Sequence, residues 1–172
     1  MAPKPKKKRA GSGIRAEIQQ NQPFRSPAHE AVVSLLRTAA VVERQLARVV
    51  EPTGLTLSQY NVLRILRGAG EQGLPTLAIR DRMIEAAPGV TRLLDRLERA
   101  GLARRERAGA DRRQVFCSIT SAGLALLAQL DSAVDAANEA AAGMLTSKEQ
   151  RRLLRALDAM RAGRPTLKAA EA

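Results

Sequence analysis

Between residues 28 and 50, Val32, Leu35, Leu36, Ala39, Val42, Leu46, Val49 and Val50 recur at intervals of three and four, the period of a long amphipathic helix. Glu51-Pro52-Thr53-Gly54 stops it. Thr56-Leu57-Ser58-Gln59 has the form of a capping box and opens a second helix, with Val62, Leu63, Ile65 and Leu66 inward and Gly68 and Gly70 closing it. Pro75 suits a first helical turn, and Leu77, Ala78 and Met83 outline a short third helix. Pro88 starts a fourth, with Val90, Leu93, Leu94 and Leu97 on one face and Gly101 beyond its end.

The period then changes. Leu102 to Arg107 and Val115 to Thr120 read as short strands joined by Ala108-Gly109-Ala110-Asp111, a hairpin. Thr120 caps a helix running to about Gly143 through Leu124, Leu127, Leu130 and Val134. Thr146 with Glu149 forms another capping box before Leu153, Leu154, Leu157 and Met160, and the tail from Gly163 frays. The chain is therefore mainly α with a small β-hairpin wing, a winged helix-turn-helix lobe flanked by long helices. Those helices carry more apolar surface than one small lobe covers, which predicts a helical dimer interface. The divisions are 1–13, a disordered basic arm; 14–54, an N-terminal dimerisation helix region; 55–120, the lobe; 121–162, C-terminal dimerisation helices; and 163–172, a flexible tail.

Composition narrows the chemistry. At 172 residues with 45% hydrophobic residues, there is enough for one domain's core. One His and one Cys exclude a disulfide framework and a zinc cluster, and one His cannot build most acid–base sites. No P-loop, G-x-S-x-G, H-E-x-x-H or dinucleotide fingerprint occurs, so no enzyme and no cofactor is expected. Aromatics are 2%, too few for stacking platforms on single strands. No apolar run is long enough for a bilayer, and the expected setting is cytoplasmic, associated with the nucleoid.

The net charge of +12 points to a polyanion, and its placement says more. Residues 1–20 hold six bases against Glu17; this arm reads equally as a DNA-tracking segment or as a solvated tail or tag. Residues 80–113 hold ten Arg against six acids, whereas 120–145 hold no base and three acids, Asp131, Asp135 and Glu139. One stretch faces phosphate and the other faces protein.

Leu57-Ser58-Gln59-Tyr60-Asn61-Val62-Leu63-Arg64-Ile65-Leu66, Val90-Thr91-Arg92-Leu93-Leu94-Asp95-Arg96-Leu97-Glu98, Gly101-Leu102-Ala103-Arg104-Arg105, Asp111-Arg112-Arg113 and Ile119-Thr120-Ser121-Ala122-Gly123 together resemble the multiple-antibiotic-resistance regulator (MarR) family of winged-helix transcription factors, over about 28–162. The resemblance implies a homodimer held by its terminal helices, with two lobes on a pseudo-palindromic operator. It also implies a ligand-responsive repressor and a small-molecule pocket between lobe and dimer helices. By the same resemblance Arg113 occupies the wing-arginine position, with Asp111 as its structural partner. Many relatives carry Ser or Thr at the recognition-helix cap, where this chain has Ala86-Ala87-Pro88-Gly89, and peroxide sensors carry a first-helix Cys that is missing here.

The candidate reader is the 88–100 helix. Burying Val90, Leu93, Leu94 and Leu97 leaves Gly89, Arg92, Arg96 and Arg99 outside with Thr91 flanking, and the small Pro88 and Gly89 let the helix end approach a groove. Arginine forks to guanine, and Thr touches a base edge or phosphate. The plainer reading is a solvated face with Asp95 and Glu98 pairing those arginines. In the wing, Asp111 fixes the turn while Arg112 and Arg113 suit a narrow minor groove. Arg105 and Arg107 share a strand face and suit flanking phosphates, or pack on Glu106 or Asp111.

Phe24, His29 and Tyr60 are the residues able to wall a small aromatic or lipophilic effector, with a core Tyr and an exposed helix-end His as the plainer alternative. Cys117 shares a strand face with Val115 and Ile119, where a thiol is inert; a redox switch there is the minority reading. The function that follows is sequence-specific binding of double-stranded DNA by a homodimer, and the rival is a sequence-indifferent nucleic-acid module driven by the arm.

Overall fold

A computed structural model describes residues 13–85, 89–107 and 115–163. The basic arm apart from Gly13, Pro88, the wing turn with Asp111, Arg112 and Arg113, and the tail beyond Gly163 lie outside the described residues. The chain forms two compact units, Met1–Arg48 and Val49–Ala172.

In the first unit, helix α1 (Ile14–Glu17) is a single turn, too short to show a period. Arg15 secures the chain after it, Nε donating to the Gln20 carbonyl at 3.1 Å and Nη2 to that of Asn21 at 2.6 Å. Helix α2 (Pro27–Val50) forms where expected, with Val50 of its apolar stripe buried and Val32, Leu35 and Leu36 exposed, and Ser26 Oγ accepts the His29 amide at 3.1 Å in its first turn. Glu17 and Arg37 pair at 2.7 Å across the two helices.

The second unit begins with a 3-10 turn, Glu51–Thr53, closed by Gly54 at φ 82°. The Thr56–Gln59 capping box then starts α3 (Leu57–Ala69). Thr56 Oγ1 accepts the Gln59 amide at 3.2 Å and Gln59 Oε1 accepts the Thr56 amide at 2.9 Å, which satisfies two otherwise orphan donors. Gly70 ends the helix, while Gly68 lies inside it.

Pro75 departs from expectation. Leu74–Pro75 is a short strand, β1, antiparallel to β3 (Val115–Ile119), with Leu74 opposite Cys117 and Pro75 opposite Phe116. Proline is tolerated because β1 lies at the sheet edge, where one side of the strand needs no donor. Helix α4 (Thr76–Arg82) follows, burying Ile79 and leaving Leu77 exposed, so Ile79 supplies the core residue of this short helix.

Helix α5 (Val90–Arg99) leads through Gly101, at φ 70°, into β2 (Ala103–Arg107). Strand β2 pairs with β3 from Ala103 opposite Ile119 to Arg107 opposite Val115, so the sheet order is β1-β3-β2. The Thr120 hydroxyl accepts the Gly123 amide at 3.1 Å to cap α6 (Ser121–Ala142) and donates to the Gly101 carbonyl at 2.7 Å. The second capping box, Thr146–Glu149, opens α7 (Ser147–Ala162).

The core of this unit is shared by all the elements around the sheet. Leu63 and Leu66 of α3, Ile79 of α4, Leu94 and Leu97 of α5, Cys117 of β3 and Leu127 of α6 are fully buried. Each large aliphatic side chain so buried contributes about 1.5–3 kcal/mol. Helices α3, α4 and α5 followed by the β2–β3 hairpin form a winged helix-turn-helix, as the periodicity implies, with β1 between α3 and α4 added as a third strand.

Candidate nucleic-acid interface

Helix α5 presents two chemically opposite sides. Val90, Leu94 and Leu97 are buried, with Leu93 half-buried beside them. Thr91, Arg92, Arg96 and Arg99 are exposed, as helical geometry requires once the apolar stripe is turned inward. Gly89 precedes the helix, and a side chain there would meet nothing within 4 Å among the described residues.

The electrostatics of this surface hinge on Arg105 of β2. Its Nη1 lies 2.5 Å from Asp95 Oδ1 and 3.6 Å from Glu98 Oε2, and its Nη2 donates to the Thr91 carbonyl at 3.0 Å. Partial burial pulls the Arg105 guanidinium down, but the Asp95 hydrogen bond and the charges of Asp95 and Glu98 together hold it above its ordinary value. Sequence alternation placed Arg105 toward phosphate, Glu106 or Asp111; its partners are instead the two carboxylates of α5.

The consequence falls on the neighbouring arginines. With Asp95 and Glu98 engaged by Arg105, Arg92 and Arg96 have no ion pair or side-chain hydrogen bond among the described residues, so the self-neutralised helix face does not form. Arg99 Nε donates to the Asp95 carbonyl at 3.2 Å. Arg104 lies against Ser118 Oγ at 2.9 Å and Glu106 at 3.2 Å. Sequence reasoning pairs Asp95 and Glu98 with the arginines of their own helix and misses Arg105 as their partner; their spacing of four and seven from Thr91 is the available signal, since it sets all three on one helix stripe.

The other candidates belong to other elements. Phe24 and His29 meet edge-to-face at 5.3 Å in the first unit. In the second, Tyr60 is buried with the Arg64 guanidinium 5.9 Å from its ring centre. Burial raises the Tyr60 phenol, with Arg64 opposing. Cys117 is fully buried, its Sγ 3.9 Å from Thr76 Oγ1. Among the described residues no group of His, Cys, Asp and Glu is arranged to hold a metal, and no helix is long and apolar enough to cross a membrane.

The MarR family model matches residues 55–115, from the start of α3 to β3. Over 96 residues the chain is 32% identical to the transcriptional regulator HosA of Escherichia coli O157:H7, covering 56% of this chain and 70% of HosA. The chain belongs to the MarR family.

Solved structures agree. A MarR transcription factor from Planctomyces limnophilus is 37% identical with a TM-score of 0.61, covering 79% of this chain and 98% of that one. Sco3205, a MarR family regulator from Streptomyces coelicolor solved in complex with DNA, shares the fold at a TM-score of 0.73 and 22% identity, covering 83% and 96%. The protein is accordingly a MarR-family winged helix-turn-helix transcriptional regulator, a family of DNA-binding regulators and not of enzymes.

Proposed function

We propose that this MarR regulator acts as a homodimeric, ligand-responsive repressor on a pseudo-palindromic operator in double-stranded DNA. The observation that carries this reading is the Arg92–Arg96 face of α5, without an ion pair among the described residues, beside two carboxylates that Arg105 engages. Each lobe sets Gly89, Thr91, Arg92 and Arg96 into a major groove, with Pro88 at the helix entry. Asp111 holds the wing while Arg112 and Arg113 enter the adjoining minor groove. Two lobes related by a dimer axis call for half-sites about one helical turn apart. Repression needs only occlusion of promoter DNA by the bound dimer. Residues 14–54 and 121–162 supply the dimerisation regions in this reading.

The effector reading is supported by the Phe24–His29 pair and by an open cleft of about 430 Å³ that Phe24 shares with Arg15 and Arg25. Glu30 lines the same cleft, and an aromatic edge beside charged groups of both signs suits a small aromatic or lipophilic effector. A coupling of about 1–3 kcal/mol would change operator affinity five- to 150-fold.

Selection of bound duplexes from random DNA tests the proposal. The expected product is a palindromic site that survives competitor and whose affinity falls on Arg113→Ala or Arg92→Ala. Equal binding of selected and scrambled duplexes, abolished by deleting residues 1–13, would establish the sequence-indifferent module instead.

A further inference from the structure

Arg105 belongs to the strand that leads into the wing, yet its side chain is only 24% exposed and turns onto the recognition helix. Its three acceptors, the Thr91 carbonyl and the carboxylates of Asp95 and Glu98, sit at positions i, i+4 and i+7 of α5, a single stripe. Arg92, Arg96 and Arg99 form the next stripe, about 100° further round the helix axis. Whatever grips the first stripe therefore sets the direction in which the second points. Strand β2 is itself locked to β3, with Arg105 opposite Cys117, so the grip also refers the helix to the root of the wing.

The geometry points to Arg105 as a positioning residue that sets the rotation of α5 against the wing, so that both reach their grooves in register. This rests on the DNA-reading role of α5 proposed above. A phosphate contact is the competing role, and chemistry opposes it. Releasing the guanidinium toward DNA would break the bonds to Asp95 and Thr91 and leave two carboxylates facing a polyanion. Lysine cannot substitute, because one ammonium does not reproduce the planar fork that spans a carboxylate and a carbonyl together.

The test uses the full chain, a duplex that the wild-type protein selects from random DNA, and a scrambled duplex of equal composition. Affinities are measured over a salt series for wild type, R105K, R105Q and D95N. The selected-over-scrambled ratio is expected to fall about tenfold in R105K and D95N, the scale of one lost base contact. Scrambled-DNA affinity should hold in R105K and rise in D95N, which gains net positive charge, with neither showing a reduced salt slope. In R105Q, a loss equal on both duplexes with the slope lowered by about 0.9 would make Arg105 a phosphate contact and overturn the proposal. An unchanged ratio would overturn it as well. Should R105Q fail to fold, R105K and D95N carry the test alone. If the wild type selects no sequence, the reading beneath fails with it, a result visible before any variant is made.

Discussion

Gly73 packs against the backbone of Cys117: a methyl added at Gly73 would lie 2.5 Å from the Cys117 carbonyl oxygen. The glycine also has φ of 64°, so two penalties coincide at one residue. Strand β1 can add to the wing sheet only because no side chain intervenes there. Gly73→Ala should lower unfolding stability by about 2–4 kcal/mol, the sum of left-handed backbone strain and a steric clash. Gly54→Ala has a similar backbone, φ 82°, but open space around it, and should cost only about 1–2 kcal/mol. Urea titrations of the two variants check the difference, and equal losses would refute the contact argument.

Cys117 lies beneath that contact with no solvent-exposed surface. A thiol so placed reacts only when the lobe opens. An aromatic disulfide reagent should leave the native protein unmodified and label one thiol after denaturation. Operator binding by Cys117→Ser should match wild type both before and after peroxide. Peroxide-sensitive binding in the wild type that disappears in the variant would instead establish a thiol switch.

Legibility in the sequence followed the length of each pattern. Helices α2, α3, α5, α6 and α7 repeat an apolar period over several turns, and Thr56, Thr120 and Thr146 mark the starts of α3, α6 and α7 through side-chain chemistry confined to four residues. Strand β1 has two residues, fewer than any alternation needs, and its only local clue was a proline equally suited to a helix start. Arg105 misled for another reason. Alternation tells which face of a strand a residue occupies, but whether that face meets solvent or α5 is decided by packing.

Tyr60 is the chain's one tyrosine, so its phenolate absorbance reports a single group. Burial raises its pKa above the ordinary value near 10; Arg64 lowers it, and Asp131 raises it. A folded value above the unfolded one means stability that is fully present below about pH 10 and is lost as pH rises through the folded pKa. Alkaline titration of the native protein should therefore show a late transition that returns toward 10 in denaturant. Arg64→Ala should move it higher still, and Asp131→Asn should move it lower. Shifts of opposite sign would contradict this account of the Tyr60 environment.

Helix α7 has no buried residue, and Leu153, Leu154 and Met160 are 45%, 58% and 47% exposed. Its capping box and an Arg161–Asp158 pair give the helix local support, but an apolar face of this kind lowers its free energy further when it is covered, at roughly 25 cal/mol per Å² removed from water. The proposed cover is a second copy of the chain, which makes a charge on that face a direct probe. Leu154→Glu should convert a sedimenting dimer into a monomer while leaving helix content intact, because the cap at Thr146 lies two turns away. Affinity for a duplex with two half-sites should then fall about 10²–10⁴-fold, since the second lobe no longer binds at the high effective concentration imposed by the first. Affinity for a single half-site should barely change, because the reading surface around Arg92 and Arg96 is untouched. An equal loss on both duplexes would place the effect in the lobe, and a wild type that sediments as a monomer would remove the dimer from the mechanism.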